Sequence, residues 1–166
     1  MYCIGDRIVY GSNGIMEIVD IREESIGDVT RKYYVLSDLR ANVSSQTYVP
    51  IDNERLVATM RPLLTKDEVM KIISRIKTIP ESKWCDDNRV RTEIFREVIE
   101  SGDTVGMISL IKAINANGIK RNEEGKKNFL ADENLMRKAE KMIFAEFSEV
   151  LGIPENEVGA FIAEHS

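Results

Sequence analysis

"TKDEVMKIISRI", Thr65 to Ile76, is where the chain changes its grammar. Thr65 followed by Glu68 is a capping box: the hydroxyl accepts from the Glu68 amide, and the Glu68 carboxylate reaches back to the Thr65 N–H. Val69, Ile72, Ile73 and Ile76 then recur at the i, i+3, i+4, i+7 spacing of one apolar helix face. Pro80 ends that helix, because it has no N–H to continue the ladder.

Before about residue 60 the period is two rather than 3.6. "DRIVYG", "IMEIVDIRE", "KYYVLSD" and "TYVPID" alternate β-branched or aromatic residues with polar ones and read as short strands. "GSNG", Gly11 to Gly14, and "SIGD", Ser25 to Asp28, are turn signals between them. GSNG lacks the following helix and the Lys-Ser/Thr pair of a phosphate-binding loop, so it is read as a hairpin turn. Strands at this spacing, with no long helix among them, predict a small open barrel or twisted sheet.

After Pro80 the helical grammar continues. A second helix is expected from Asp86 to Ser101, with Val90, Ile94 and Val98 turned inward and Gly102 as its stop. Asp103 or Thr104 opens a third, with Ile108, Ile111 and Ile114 on one face and Gly118 closing it. "IKRNEEGKKN" reads as a polar, basic connector. A fourth and longer helix is expected over Ala131 to Leu151, and a terminal one with Pro154 in its first turn. The fold class is therefore α+β in two domains: a β module over residues 1–62 and an all-α bundle of about five helices over residues 63–166.

Bulk properties agree with such a protein. The chain has 166 residues, room for two small domains, and its 43% apolar content sustains a core. Cys3 and Cys85 form no C-x-x-C pair and read as reduced thiols, so a cytoplasmic location is expected. The opening "MYCIGDRIVYG" has an acid and no basic segment before its apolar residues, so no signal peptide is expected. No apolar run approaches the ~18 residues of a spanning helix.

The net charge of −5 is uneven. Windows 69–96 and 112–141 each carry +3, whereas the last 25 residues carry −5. That balance excludes strong autonomous binding to nucleic acid, where affinity follows the number of phosphates neutralised. Contact with DNA at a few points, by a protein brought there by another, remains compatible with it.

Catalytic equipment is sparse. The single histidine is His165. No metal-ligand spacing, nucleophile elbow or H-E-x-x-H motif occurs. Asp86-Asp87 is explained as helix N-terminal charge, and Glu123-Glu124 are neighbours that point apart. No enzyme, catalytic residue, metal, cofactor or small-molecule substrate is expected.

The only tryptophan, Trp84, stands in "SKWCDDNRVR" among Lys83, Arg89 and Arg91. Extending the second helix backwards would set the indole about 20° from Phe95, at the edge of the apolar stripe. Core burial is thus one reading. Asp86, Asp87 and Asn88 look like a capping region, however, which leaves Trp84 in the joint before the helix. An aromatic among cations suits stacking on bases or wedging a base step. Residue chemistry leaves both readings open.

Across nearly its whole length the chain resembles the CarD family of bacterial transcription regulators. Its first module is also similar to the polymerase-interacting domain of the transcription-repair coupling factor. The residues that carry this are "IGDRIVYGSNGIMEIVDI", "KYYVL", "TYVPIDN", "MRPLLTKDE", "KW" and "ESGD", in that order. The resemblance implies a Tudor-like (SH3-like) small β-barrel that grips the beta subunit of RNA polymerase. It also implies a helical domain that meets promoter DNA at the upstream edge of the melted bubble, where a tryptophan inserts from the minor groove. Trp84 stands at that tryptophan's position.

There are departures. Gly11, Asn13 and Met16 replace turn residues common in the family. Glu24 and Tyr48 fall where well-known members carry basic polymerase contacts, and Asp86 replaces a frequent basic neighbour of the tryptophan, although Arg89 keeps one. Weaker DNA contact than in those members is the expectation. The resulting assignment is a monomeric, non-enzymatic transcription regulator that stabilises the open complex. Arg22, Glu24 and Ile26 on an exposed edge strand, with Tyr48 nearby, are its polymerase contacts. Trp84 is its wedge, and Lys83, Arg89, Arg91, Lys126 and Lys127 are its phosphate contacts, against the plain alternative of solvated surface charges. A protein-interaction adaptor whose helices never touch DNA is the competing reading.

Overall fold

The structure, a computed structural model, describes residues 1–40 and 45–166 apart from the side chain of Ile26. The chain gathers into two compact units, Met1–Leu63 and Leu64–Ser166.

In the first unit, strands β1 (Arg7–Tyr10), β2 (Ile15–Ile26), β3 (Val29–Asp38), β4 (Gln46–Pro50) and β5 (Met60–Pro62) pair antiparallel in the order β4-β3-β2-β1-β5. A short helix, α1 (Glu54–Val57), lies between β4 and β5 in the chain. Of the open barrel or twisted sheet expected here, the pairing gives an open sheet among the described residues, with β4 and β5 as its edges. Strand β5 is three residues long and pairs with β1 alone, so it does not close the sheet onto β4.

Alternation builds the core of this unit. Ile8, Tyr10, Met16, Ile18, Tyr34, Leu36, Val49 and Met60 form one buried cluster, with Leu56 and Val57 of α1 against it. The turn after β1 is a 3-10 turn over Gly11–Asn13, and Gly14 leaves it at φ 85°, ψ −148°, a region reserved for glycine. Strands β2 and β3 meet through Gly27 and Asp28 alone, so they run longer than the expected four-residue turn allowed.

A bulge decides the far half of β2. Ile18 faces Leu36, but Asp20 rather than Val19 faces Val35. The extra residue shifts the alternation by one, so Ile21 packs towards the core while Asp20, Arg22 and Glu24 turn to the opposite face.

The second unit contains α2 (Lys66–Arg75), α3 (Asn88–Ser101), α4 (Thr104–Glu123), α5 (Leu130–Leu151) and α6 (Val158–His165). The Thr65 capping box is present, with Thr65 N donating to Glu68 Oε2 at 2.7 Å and Glu68 N to Thr65 Oγ1 at 3.3 Å. Val69 and Ile73 are wholly buried, and Ile72 and Ile76 pack beside them. Asp87 caps α3 by accepting from the Arg89 and Val90 amides, and Gly102 ends it at φ 69°.

Two expectations for these helices are corrected. The inward stripe of α3 is Arg91, Phe95 and Ile99, at 1% exposure each, whereas Val90 and Ile94 are 47% and 44% exposed and Val98 is half-buried. The two stripes are one residue, or about 100°, apart, and the stripe with the larger phenyl ring is the one buried. Helix α4 does not close at Gly118 but runs on to Glu123, taking in the first part of the expected connector. Gly118 is buried there because the Asn128 side chain lies 3.2 Å from where a Cβ would stand. Pro154 stands before a 3-10 turn, Glu155–Glu157, that leads into α6. Among the described residues no helix is long and apolar enough to cross a membrane, and no group of three acidic, His or Cys side chains is placed to hold a metal.

Candidate nucleic-acid interface

Trp84 lies in the extended segment between Pro80 and Asp87, which the structure ties to the bundle at several points. Ser82 N donates to Ser109 O on α4 at 3.1 Å. Lys112 Nζ donates to Lys77 O and Ile79 O, at 3.2 and 2.6 Å, satisfying carbonyls that the end of the preceding turn leaves open.

The indole is half-buried, so neither simple reading of it holds. Its inner side packs against the core edge-on to Phe95, with centroids 6.3 Å apart and planes at 65°. The Arg91 guanidinium carbon lies 4.2 Å from the Trp84 ring centre. The same group is 5.0 Å from the Phe129 ring centre, and Arg121 lies 3.9 Å from Phe129. Trp84, Arg91, Phe129 and Arg121 thus form a chain of alternating aromatic rings and cations, an arrangement favoured by the ring quadrupole.

Arg91 is a correction to the expected phosphate contacts. Its Nη2 donates to Asp132 Oδ2 at 2.8 Å and to Asn88 Oδ1 at 2.8 Å, its Nη1 to Cys85 O at 2.7 Å, and its Nε to both Asp132 oxygens at 3.2 Å. A buried guanidinium needs such partners, and with them it is turned inward rather than towards solvent.

The other expected cations are placed differently. Lys83 and Arg89 are exposed on either side of Trp84 in the chain. Lys126 and Lys127 are exposed in the connector between α4 and α5. Lys126 is held 2.8 Å from Glu124 Oε2, and its hydrogen bond and charge keep that carboxyl below the usual range. Arg121 Nε and Nη2 both donate to Lys127 O, which fixes the connector beneath Phe129. Phe129 and Arg121 were missed at the level of sequence. The available signal was a lone aromatic at the end of a basic connector.

On the first unit, Arg22 bridges Asp20 at 2.8 Å and Glu24 at 3.7 Å, and its guanidinium lies 5.7 Å from the Tyr48 ring. Tyr33 meets Tyr48 edge-on at 6.2 Å. Arg22, Glu24 and Tyr48 therefore share one sheet face, while the Ile26 side chain lies outside the described residues. Strand β2 is flanked on both sides only over Ile15–Glu17, where it pairs with β1, so the half bearing Arg22 and Glu24 has a free edge as expected. Its residues Asp20–Ile26 pair only with β3 among the described pairings.

Residues 2–64 match the family model of the CarD-like/TRCF RID domain. Over that span, which corresponds to the first unit, the chain is similar to CarD-like and RNA polymerase-interacting, transcription-related domains. No curated protein matches the chain.

Proposed function

We propose that this protein is a monomeric, non-enzymatic transcription regulator of the cytoplasm. Its first unit binds the beta subunit of RNA polymerase through the face bearing Arg22, Glu24 and Tyr48. Its helical unit contacts promoter DNA at the upstream edge of the bubble, with Trp84 as the wedge and Lys83, Arg89, Lys126 and Lys127 towards phosphates.

The observation that carries this reading is the partly buried indole held on the Arg91 guanidinium, with exposed cations on either side of it in the chain. An aromatic so held loses little freedom on meeting a base, which lowers the cost of binding. Insertion into duplex costs a few kcal/mol of unstacking, and melted DNA largely avoids that cost. The protein then binds the open complex better than the closed one, and that difference shifts the population towards open.

The test is Trp84→Ala in the full chain, with RNA polymerase and a promoter fragment. Open-complex lifetime should fall about five- to a hundredfold, the range for losing one stacked base. Because the indole is only half in the core, stability should fall by about 1–2 kcal/mol, between the surface and core ranges. A folded variant with an unchanged open-complex lifetime would instead support the adaptor reading.

A further inference from the structure

The neighbours of Trp84 show how its ring is aimed, and the role inferred from them rests on the DNA reading above. Trp84 precedes its helix and is not part of a regular element, so backbone hydrogen bonding within a helix does not set its side chain. What meets the ring is Arg91 at 4.2 Å and Phe95 at 6.3 Å. Phe95 meets it edge-on, whereas the planar guanidinium is the group centred over its face. That guanidinium is itself immobilised by Asp132 on α5, Asn88 at the start of α3 and the carbonyl of Cys85, the residue next to Trp84.

We propose that Arg91 and Asp132 are positioning residues for Trp84: their buried ion pair is the rigid platform that holds the indole in its partly buried pose. Arg91 touches no DNA in this scheme and acts only through the ring it supports. The fork geometry is essential to it. A guanidinium engages Asp132, Asn88 and Cys85 at once while its flat face meets the indole, and a lysine ammonium has neither the plane nor the fork. Phe129 and Arg121 extend the platform on its far side, so the connector between α4 and α5 buttresses the same pose.

Two consequences separate this role from a phosphate contact and from a plain structural one. Removing a side chain that neutralises a phosphate lowers the salt dependence of polymerase–DNA complex formation by about one unit of slope, whereas removing a positioning residue leaves the slope unchanged. A residue that acts only through Trp84 has no further effect once the indole is removed, so its loss and Trp84→Ala are non-additive.

The experiment uses the full chain, in which Trp84 is the only tryptophan and so the only source of indole fluorescence. Arg91→Lys and Asp132→Asn are compared with the parent by acrylamide quenching, with circular dichroism as the check on folding. Quenching of the indole should rise about two- to fivefold, the population change that a partly exposed cation–π contact supports. With RNA polymerase and a promoter fragment, open-complex lifetime should shorten towards that of Trp84→Ala with an unaltered salt slope. Arg91→Lys combined with Trp84→Ala should behave as Trp84→Ala alone in lifetime. Parental quenching in a folded variant overturns the proposal, as does additive loss in the double variant. Loss of folding in both Arg91→Lys and Asp132→Asn assigns the pair to stability alone and also overturns it. Should Trp84→Ala leave the open complex unaffected, the DNA reading falls, and quenching in the free protein alone decides for or against the platform.

Discussion

Arg91 Nη2 lies 2.8 Å from Asp132 Oδ2, and the two side chains, forty-one positions apart in the chain, are 1% and 4% exposed. The pair joins α3 to α5 beneath the Trp84 and Phe129 rings. Its two halves are unequal in what their loss would do. Asp132→Ala strands a guanidinium among apolar groups, and chemical denaturation should show a loss of about 3–5 kcal/mol in the helical unit. Asp132→Asn keeps an acceptor and should lose less. A near-neutral Asp132→Ala would show that water reaches Arg91 and that the pair is not truly buried.

The face that α3 buries can be tested by two neighbours. Phe95→Ala removes a ring that is 1% exposed and should cost about 3–5 kcal/mol. Ile94→Ala removes a side chain that is 44% exposed and should change stability by about 0.5 kcal/mol or less. Thermal melts of the two variants should be clearly separated. The opposite order would restore the stripe of Val90, Ile94 and Val98 as the inward one.

Alkaline pH should loosen the first unit. Burial raises the phenol of Tyr10 above its ordinary 10.0, and burial raises that of Tyr2 as well, assisted by Tyr34 and Asp6. Tyr2 also donates to Met60 O at 3.0 Å, a bond that the ionised form cannot make. A folded value above the unfolded one means that the stabilisation is complete below pH 10.0 and is lost as pH rises through the folded value. Tyrosinate absorbance and circular dichroism, followed together, should change in concert above that pH. In a Tyr2→Phe, Tyr10→Phe variant the structural transition should move to higher pH.

Tyr48 is the sharper probe of the polymerase face, because it is 42% exposed and lies outside the core cluster. Tyr48→Ala should leave the melt within about 0.5 kcal/mol of the parent. Binding to polymerase should weaken about tenfold or more, the loss expected for an aromatic anchor at an interface. Unchanged retention on immobilised polymerase would move the contact to another face of the sheet.

Local patterns made much of the architecture legible. The Thr65 capping box, the Val69 and Ile73 stripe and the glycine stop at Gly102 depend on residues within a turn of each other, and all are present. The strands of the first unit were legible for the same reason, since pleat alternation is set residue by residue. The bulge at Val19 was not. Its position depends on which residue of β3 stands opposite, and that pairing is absent from the local alternation.

The sequence by itself determined where the two units divide in character and where most of the longer helices and strands lie, with Trp84 ahead of the second expected helix. It did not determine the short α1 and β5 or the full run of α4. Only the tertiary structure decided which stripe of α3 is buried, that Arg91 lies inside rather than on the surface, and that Trp84 is half held and half displayed. The physical reason is range. A helical period of 3.6 residues marks two adjacent stripes of α3 almost equally, and the choice between them falls to partners far away in the chain. A charged Arg91 can face inward only because Asp132, on another helix, satisfies it, and Trp84 has its pose only because Arg91 is there.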